Sequence, residues 1–298
     1  MSRSGPLVFV GGITLDVIAA VRSFPAADQR VLADAVVRAG GGPAATAAVA
    51  AARLGAPDVQ LVGAVGDDGA AEEVLAELSA EGVDVSGVVR VAGASTGTGV
   101  IVVDTQAGTR AICARPGPEL TGQPIDAERL ASARLVHVDH LGWSIGHDLL
   151  RGAADVMLSA DVSYPVPGFT LAGLGLFAPS LASLQERYPE ARGEQALLDV
   201  ALAEGAQRVV ATRGAHGCVA ADAEGARWDV PGVSVEVVST LGAGDVFHGA
   251  LVAALDRGDD LTAALPFANR VAALSCRGLD GRSAIPSGAD LQRSSSTT

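Results

Sequence analysis

An α/β fold, with a mostly parallel sheet between two helical layers and a small β-sheet flap over it, is what this sequence predicts. Three observations carry that reading. From residue 135 onward, short apolar runs alternate with helical stretches, and strands that alternate with helices pair in parallel under cover on both faces. Nearer the N-terminus, at 17–37 and 97–115, extended pieces break the rhythm and read as hairpins added to the core. The length, 298 residues, suffices for one large domain with a sizeable buried core.

Taken in order, Leu7-Val-Phe-Val10 is a short apolar run closed by Gly11-Gly12 and reads as a buried strand. Residues 17–21 and 31–37 are two extended pieces around a polar, proline-containing turn. Gly40-Gly-Gly42 followed by Pro43 is a flexible loop with proline in a first helical turn, and the helix runs over 44–54 to Gly55. A strand at 59–65, a helix at 68–81 and a strand at 88–91 follow. The apolar segments 97–104 and 110–114 flank Gln106-Ala-Gly108 as a hairpin. Beyond them lie a strand at 135–138, a helix near 146–155, a strand at 156–162, an apolar run at 174–177, a helix near 194–204 and a strand at 208–212. Helices at 243–257 and 261–278 complete the pattern, which gives one domain over 1–292, flap segments at about 14–38 and 95–116, and a polar tail at 293–298. Ligands of such sheets sit beyond the carboxyl ends of the strands, so the flap is placed as a lid.

Composition removes several function classes. The formal charge is −13, which opposes nucleic-acid and anionic-membrane partners. All 21 basic residues are arginine; without lysine there is no P-loop lysine, no protein-kinase lysine and no Schiff base. Mean hydropathy is high at +0.34, yet no run approaches the ~20 apolar residues of a membrane span. The start shows no signal-peptide cleavage pattern, and Cys113, Cys218 and Cys276 are odd in number and widely spaced, so a cytoplasmic protein with buried reduced thiols is expected.

The most informative stretch is Ser239-Thr-Leu-Gly-Ala-Gly-Asp245, opening a helix. Its glycines permit a tight turn and leave the N–H groups of Gly242, Ala243 and Gly244 unpaired at a helix start, an arrangement that binds anions. Asp245 in the first turn is either a general base or an acid complementing the helix dipole. Gly41-Gly42 before an alanine-rich helix with Thr46, Asp16 after the first strand, and Thr212-Arg213-Gly-Ala-His-Gly217 after a later one complete a constellation that is weak singly and strong in order.

These segments resemble the ribokinase-like (PfkB) family of carbohydrate and nucleoside kinases over nearly the whole chain. Gly41 through Gly55 resembles the family's N-terminal signature and Thr240 through Asp245 its C-terminal one. Val65-Gly-Asp67-Asp68 and 212–217 match further family segments. The runs at 40–50, 242–251 and Gly281-Arg-Ser-Ala-Ile-Pro286 look nearest to the ketohexokinase and sulfofructose-kinase groups. The resemblance implies a three-layer core with a β lid and phosphoryl transfer from Mg2+·ATP to a hydroxyl of a ketose or acidic ketose derivative. Asp245 would take the hydroxyl proton, and Gly242, Ala243 and Gly244 would hold the phosphoryl oxygens. Asp16, Gly41, Gly42 and Thr46 would face the sugar; Thr212, Gly214, Gly217 and Asn269 would face the nucleotide. A homodimer through the lid is also implied.

The chain departs from the family pattern at three places. Ser239 replaces an Asp that often binds a monovalent cation, so that requirement is not carried over; Thr46 replaces an Asn; and the Asn-x-x-Glu segment linked to Mg2+ should fall near Pro179-Ser-Leu-Ala-Ser183, which has neither residue. No residue is assigned as a protein metal ligand. Arg30 and Arg115 lie in the flap segments and either recognise an anionic substrate group or are surface arginines. Asp139 and Asp161 follow strands on the ligand side, and Asp139 is placed with the substrate. His248, one turn after Asp245, either tunes it or is a core histidine; Asp67-Asp68 is either a helix cap or a substrate-loop pair. Two other readings stand beside the sugar kinase: a nucleoside kinase, and a catalytically silent sugar-binding or regulatory protein on the same fold.

Overall fold

The computed structural model describes residues 5–121, 124–150 and 156–295. Residues 151–155 of one expected helix and 296–298 of the expected tail lie outside them. The chain opens with β1 (Leu7–Val10), then β2 (Thr14–Val21), β3 (Ala35–Gly41), α1 (Pro43–Arg53), β4 (Val59–Gly66), α2 (Gly69–Ala80) and β5 (Asp84–Val91). It continues through β6 (Thr98–Asp104), β7 (Thr109–Arg115), α3 (Ala127–Ser132), β8 (Leu135–Asp139), α4 (Trp143–Leu150), β9 (Met157–Asp161), β10 (Leu176–Phe177), α5 (Leu181–Arg187) and α6 (Glu194–Ala203). It closes with β11 (Arg208–Thr212), β12 (Cys218–Asp222), β13 (Arg227–Val230), α7 (Ala243–Arg257), α8 (Leu261–Ser275) and α9 (Gly288–Ser295).

A nine-stranded sheet runs in the order β13-β12-β11-β10-β9-β8-β1-β4-β5. It is parallel from β11 to β5, with β12 and β13 antiparallel at one edge. Alternation along each strand splits the core into two. Leu7, Phe9 and Leu135 pack on the layer of α1, α2, α7 and α8. Val8, Val10, Val136 and Val138 pack on the layer of α3 to α6. All four residues of β1 are therefore buried, which is why that strand reads as an unbroken apolar run.

The alanines of α1 also have a packing reason. Ala44 to Ala51 are all buried, and a Cβ at Gly249 of α7 would overlap the Ala47 carbonyl oxygen. The small side chains let α1 and α7 touch almost backbone to backbone, which fixes the start of α7 relative to the start of α1.

The second sheet is four-stranded, ordered β3-β2-β6-β7. Its β2–β3 and β6–β7 pairs are antiparallel, and β2 runs parallel to β6. On its inner face Ile18, Ile101 and Val103 pack with Val37, Ala39, Leu241 and Leu279. The first flap hairpin differs from its expected register. Residues 31–34 carry no strand, and pairing with β2 begins at Ala35, opposite Ala20. The polar tail is also shorter than expected: Ser287 and Asp290 cap each other and start α9, which reaches Ser295. The expectation of buried free thiols holds for Cys218 and Cys276, while Cys113 is exposed on β7.

The sequence pattern places Asp139 with the substrate. The structure instead buries it completely at the end of β8. Its Oδ2 accepts from the backbone N–H of Gly12 at 2.7 Å and of Ala44 at 3.1 Å. Its Oδ1 accepts from Leu141 at 2.8 Å and Gly142 at 2.9 Å. Burial pushes this carboxyl up, while the amide donors favour the charged form. Asp139→Ala would strand these donors in the core. The expected loss is at least about 3 kcal/mol of unfolding free energy in a urea titration, with a smaller loss for Asp139→Asn.

Candidate active site

The carboxyl ends of β1, β8 and β9 and the N-termini of α1 and α7 meet beneath the inner face of the small sheet. Gly242 is the N-cap of α7 at φ +72°, with no side-chain cap, and a Cβ there would stand 2.9 Å from Gly281 Cα. The turn therefore needs glycine. Ala243 donates to the Thr240 carbonyl at 3.3 Å, so of the three expected anion donors its N–H is already engaged by a long bond. A side chain at Gly244 would meet open space, which leaves the mouth of the helix clear. The α7 dipole and this open, uncapped turn fit a phosphoryl group.

Asp245 is partly buried in the first turn of α7. Burial first, and then repulsion by Asp161, push its carboxyl up to about 7; His248 and Arg110 pull the other way. His248 lies one turn further along α7, with its Nδ1 3.0 Å from Asp161 Oδ2. Asp161 is held below the ordinary carboxylate range by that histidine against the effect of burial.

Asp16 lies on the inner face of β2, with Oδ1 accepting from Gly99 N–H at 2.7 Å. Its carboxyl is raised by burial, with Gly99, Thr14 and Arg282 opposing. The absence of a side chain at Gly41 leaves the space that Asp16 occupies, and Gly42, at φ +91°, turns the chain from β3 into α1. Thus Asp16, Gly41, Gly42 and the start of α7 share one crevice.

Thr46 enters it only indirectly. It is buried, and its hydroxyl accepts from Arg282 Nε at 3.3 Å. Arg282 also donates to the Gly41 carbonyl at 2.7 Å and faces Asp16 and Asp245. Burial lowers this guanidinium to about 10. Its partners are 236 and 241 residues away, so nothing local in Gly281-Arg-Ser-Ala-Ile-Pro286 could have announced its role.

The flap arginines part company with expectation. Arg30 sits in the exposed loop between β2 and β3. Arg115 pairs with Thr98, so it shares the outer face with Val100 and lies opposite Asp16 and Gly99. Its guanidinium donates to the Thr96 carbonyl at 2.8 Å. An arginine of the small sheet that does reach the crevice is Arg110, which nothing local in the sequence marks. It projects from the inner face of β7 and donates to Thr240 Oγ1 at 2.8 Å.

A second cluster lies beyond β11. Thr212 ends that strand, and Gly214 to Gly217 form a tight turn with Gly217 against the Val230 carbonyl. Asn269 is buried, and its Nδ2 reaches the Val230 and Pro231 carbonyls at 3.5 and 3.4 Å, so it braces the loop after β13. Elsewhere the capping alternatives fit. Asp68 caps α2 through Ala71 N–H at 3.0 Å, and Asp67 accepts from Gly93 N–H at 3.0 Å. Ser180 caps α5 and bonds Ser183 at 2.7 Å. Among the described residues no cluster of three His, Cys, Asp or Glu side chains is arranged to hold a metal. A Mg2+ that arrives with a triphosphate needs only one or two carboxylates, and Asp245 and Asp161 stand where such a complex would sit.

The two glycines of the anion turn should respond differently to substitution. Gly242→Ala forces a left-handed alanine against Gly281 and should cost about 1–2 kcal/mol or more in chemical denaturation. Gly244→Ala should keep wild-type stability while placing a methyl group in the mouth. The protection from thermal unfolding given by tripolyphosphate should then be lost in a variant that folds normally.

Comparison with known proteins agrees with this architecture. The pfkB family carbohydrate kinase profile matches residues 6–163 and 176–287. The ribokinase of Bacillus subtilis strain 168 is 28% identical, covering 93% of this chain and 94% of the relative. The ATP-dependent ribose-1-phosphate kinase of Halopiger xanaduensis is 30% identical, with 93% of each chain covered. In fold, the chain superposes on the Thermotoga maritima ribokinase at a TM-score of 0.85, with 23% identity over 97% of this chain and 99% of that one. Profile, relatives and fold converge with the crevice between α7 and the small sheet, and the chain belongs to the pfkB family of carbohydrate kinases, enzymes that phosphorylate a sugar hydroxyl.

Proposed function

We propose that this protein transfers the γ-phosphoryl group of ATP to a hydroxyl of a small neutral furanose, with ribose the first acceptor to test. The single observation that carries the reading is the placement of Asp245 in the first turn of α7, at its uncapped start, with Arg282 facing both it and Asp16. Asp16 would hold the sugar hydroxyls, aided by the backbone at Gly41 and Gly42. The acceptor hydroxyl gives its proton to Asp245 as its oxygen bonds to the γ-phosphorus, and the bond to the departing ADP oxygen breaks. The N–H groups of Gly242 and Gly244 hold the phosphoryl oxygens in a lysine-free site. When bound, Mg2+ neutralises phosphate charge. Thr212, Gly214, Gly217 and the loop braced by Asn269 would flank the nucleotide.

The acidic-ketose expectation has weaker support. Arg115 lies on the wrong face, Arg30 in an exposed loop, and Arg282 is committed to Gly41 and Thr46. Arg110, which does reach the crevice, is engaged by Thr240 Oγ1. Both relatives described above are named for ribose or its phosphate. A neutral ketose stays on the acceptor panel.

The small sheet would act as the lid, excluding water as a competing nucleophile. Its outer face carries Val36 and Val100, 63% and 53% exposed, and the expected partner there is a second copy of the chain. Among the described residues no helix is long and apolar enough to cross a membrane. A cytoplasmic location is supported by the buried free thiols Cys218 and Cys276.

ADP release should be seen with Mg2+·ATP and one member of a panel of ribose, deoxyribose, ribose-1-phosphate, fructose and adenosine. Asp245→Asn should cut kcat by at least about 10³-fold while leaving sugar binding intact. A variant as active as wild type would remove Asp245 as the base. A silent binder would bind sugar with no turnover in either protein. In the active enzyme kcat/KM should fall as pH drops through about 7, since only the carboxylate accepts the proton. Val36→Asp with Val100→Asp should convert the dimer to monomer in analytical ultracentrifugation.

A further inference from the structure

Between β3 and α1 the chain passes through Gly40-Gly41-Gly42, residues with the least preference for any one backbone conformation. This stretch is the crossing from the small sheet to the core, and the reading above places the acceptor sugar against it. Gly41 lies beside Asp16, where a Cβ would stand 2.1 Å from its Oδ2, and Gly42 is held at φ +91°. Three successive glycines do not hold such a turn by themselves; a brace from elsewhere in the chain is needed.

Arg282 is that brace. It is 7% exposed. Its Nη2 donates to the Gly41 carbonyl at 2.7 Å and its Nε to Thr46 Oγ1 at 3.3 Å, so one planar guanidinium joins the end of β3 to the start of α1. A donor on the Gly41 carbonyl sets the plane of the Gly41–Gly42 peptide, and with it the direction of the Gly42 N–H. On the far side the missing side chain of Gly40 makes room. A Cβ there would stand 2.2 Å from Arg282 Nη1 and 2.8 Å from Glu77 Oε2, and that oxygen accepts the Gly40 N–H at 3.0 Å.

The mount of this side chain is rigid too. Asp280 Oδ1 accepts from the N–H groups of Arg282 at 2.7 Å and Ser283 at 2.6 Å. Arg53, the last residue of α1, donates to the carbonyls of Arg282 at 2.6 Å and Ile285 at 3.1 Å, and it pairs with both oxygens of Glu81. The residue before Arg282 is Gly281, against which Gly242 of the anion turn packs. Adjacent residues of the segment 280–285 thus touch the phosphoryl turn and the sugar turn.

Resting on the kinase reading above, we infer that Arg282 is a positioning residue for the acceptor: it pre-forms the Gly41–Gly42 turn beside Asp16, so that the sugar meets a wall already in its binding conformation. In this role it touches neither the sugar nor the phosphate. Without it the glycine stretch samples other conformations, and the apparent affinity for the sugar falls by the fraction of time the competent one is populated. A bound sugar holds the turn itself, so the chemical step and the nucleotide side change little.

The test is a split between kinetic constants. In Arg282→Gln, and in Gly40→Ala, which pushes a methyl group against Nη1, KM for the sugar should rise at least about tenfold. In both, kcat should stay within about threefold of wild type and KM for Mg2+·ATP within about twofold. Arg282→Lys can still reach the Gly41 carbonyl but lacks the fork that also holds Thr46, so it should recover part of the affinity. An unchanged sugar KM in a folded variant would overturn the inference, as would an equal rise for both substrates. Either result makes Arg282 a stabilising contact only.

A second measurement needs no turnover, and it uses the two milder variants, Gly40→Ala and Arg282→Lys. Backbone hydrogen exchange of the segment 40–45, read by mass spectrometry, should quicken at least about tenfold in both while α7 keeps its wild-type protection. Unchanged exchange in that segment would sink the inference. Absence of turnover with every sugar would count against the kinase reading instead, and the exchange would still decide whether Arg282 orders the turn.

Discussion

Four backbone N–H groups converge on the two oxygens of Asp139, and the geometry of the crevice follows from that convergence. One donor, Gly12, lies where the chain leaves β1 for the small sheet. Another, Ala44, lies where it returns from that sheet into α1. The remaining two, Leu141 and Gly142, follow β8 itself. A single buried carboxylate thus ties both crossings between the two sheets to the edge of the crevice. Because α1 and α7 touch through Gly249, the same knot sets where the anion turn begins. A carboxylate suits this task because only an ionised acid offers enough acceptor sites for four amides at once.

Charge placement in the site answers the absence of lysine. Arginine supplies every basic side chain, and each one near the crevice is anchored by an acceptor that leaves little freedom: Arg282 by Gly41 and Thr46, Arg110 by Thr240. Such guanidiniums organise loops more readily than they follow a moving phosphate. On the proposed reading, the work of meeting the phosphoryl group would fall to the start of α7, whose mouth has no side chain in it. Buried acids here are held either by amide donors, as Asp139 is, or beside a basic side chain, as Asp161 is, because isolated buried charge is costly.

What the sequence made legible was chiefly local. The Gly-Ala-Gly-Asp turn, the proline-started helix after Gly42 and the apolar run of β1 each declare themselves within a few residues, because caps, turns and strand burial are decided by near neighbours. The matters it misread depend on partners far along the chain. Arg115 was assigned to the crevice, yet one residue of register decides its face, and that register is set by Thr98 and Val100 on another strand. Thr46 looked like a sugar contact until Arg282, from the other end of the chain, occupied its hydroxyl. Asp139 had the right position for a ligand and the wrong neighbours, since its acceptors were already claimed by amides invisible in a one-dimensional pattern. His248 and Asp161 could each be noticed alone; only the packing of α7 on β9 makes them a pair.

The crossings held by Asp139 also bear on how the two substrates would be coordinated. Asp16 is part of the small sheet, while Asp245 and the anion turn are part of the core. Arg282 bridges the two, bonding Gly41 at the base of the sheet while facing both carboxylates. Arg110 and the Leu241 and Leu279 contacts make a second bridge at the sheet's far edge. A sugar gripped by Asp16 would therefore be carried by the element that closes the crevice, so acceptor placement and exclusion of water become one movement. On that arrangement the phosphoryl donor site stays rigid and the acceptor comes to it. Substrate selectivity would then reside in the small sheet and its crossings, which is where the inner-face residues Asp16, Gly99 and Arg110 lie.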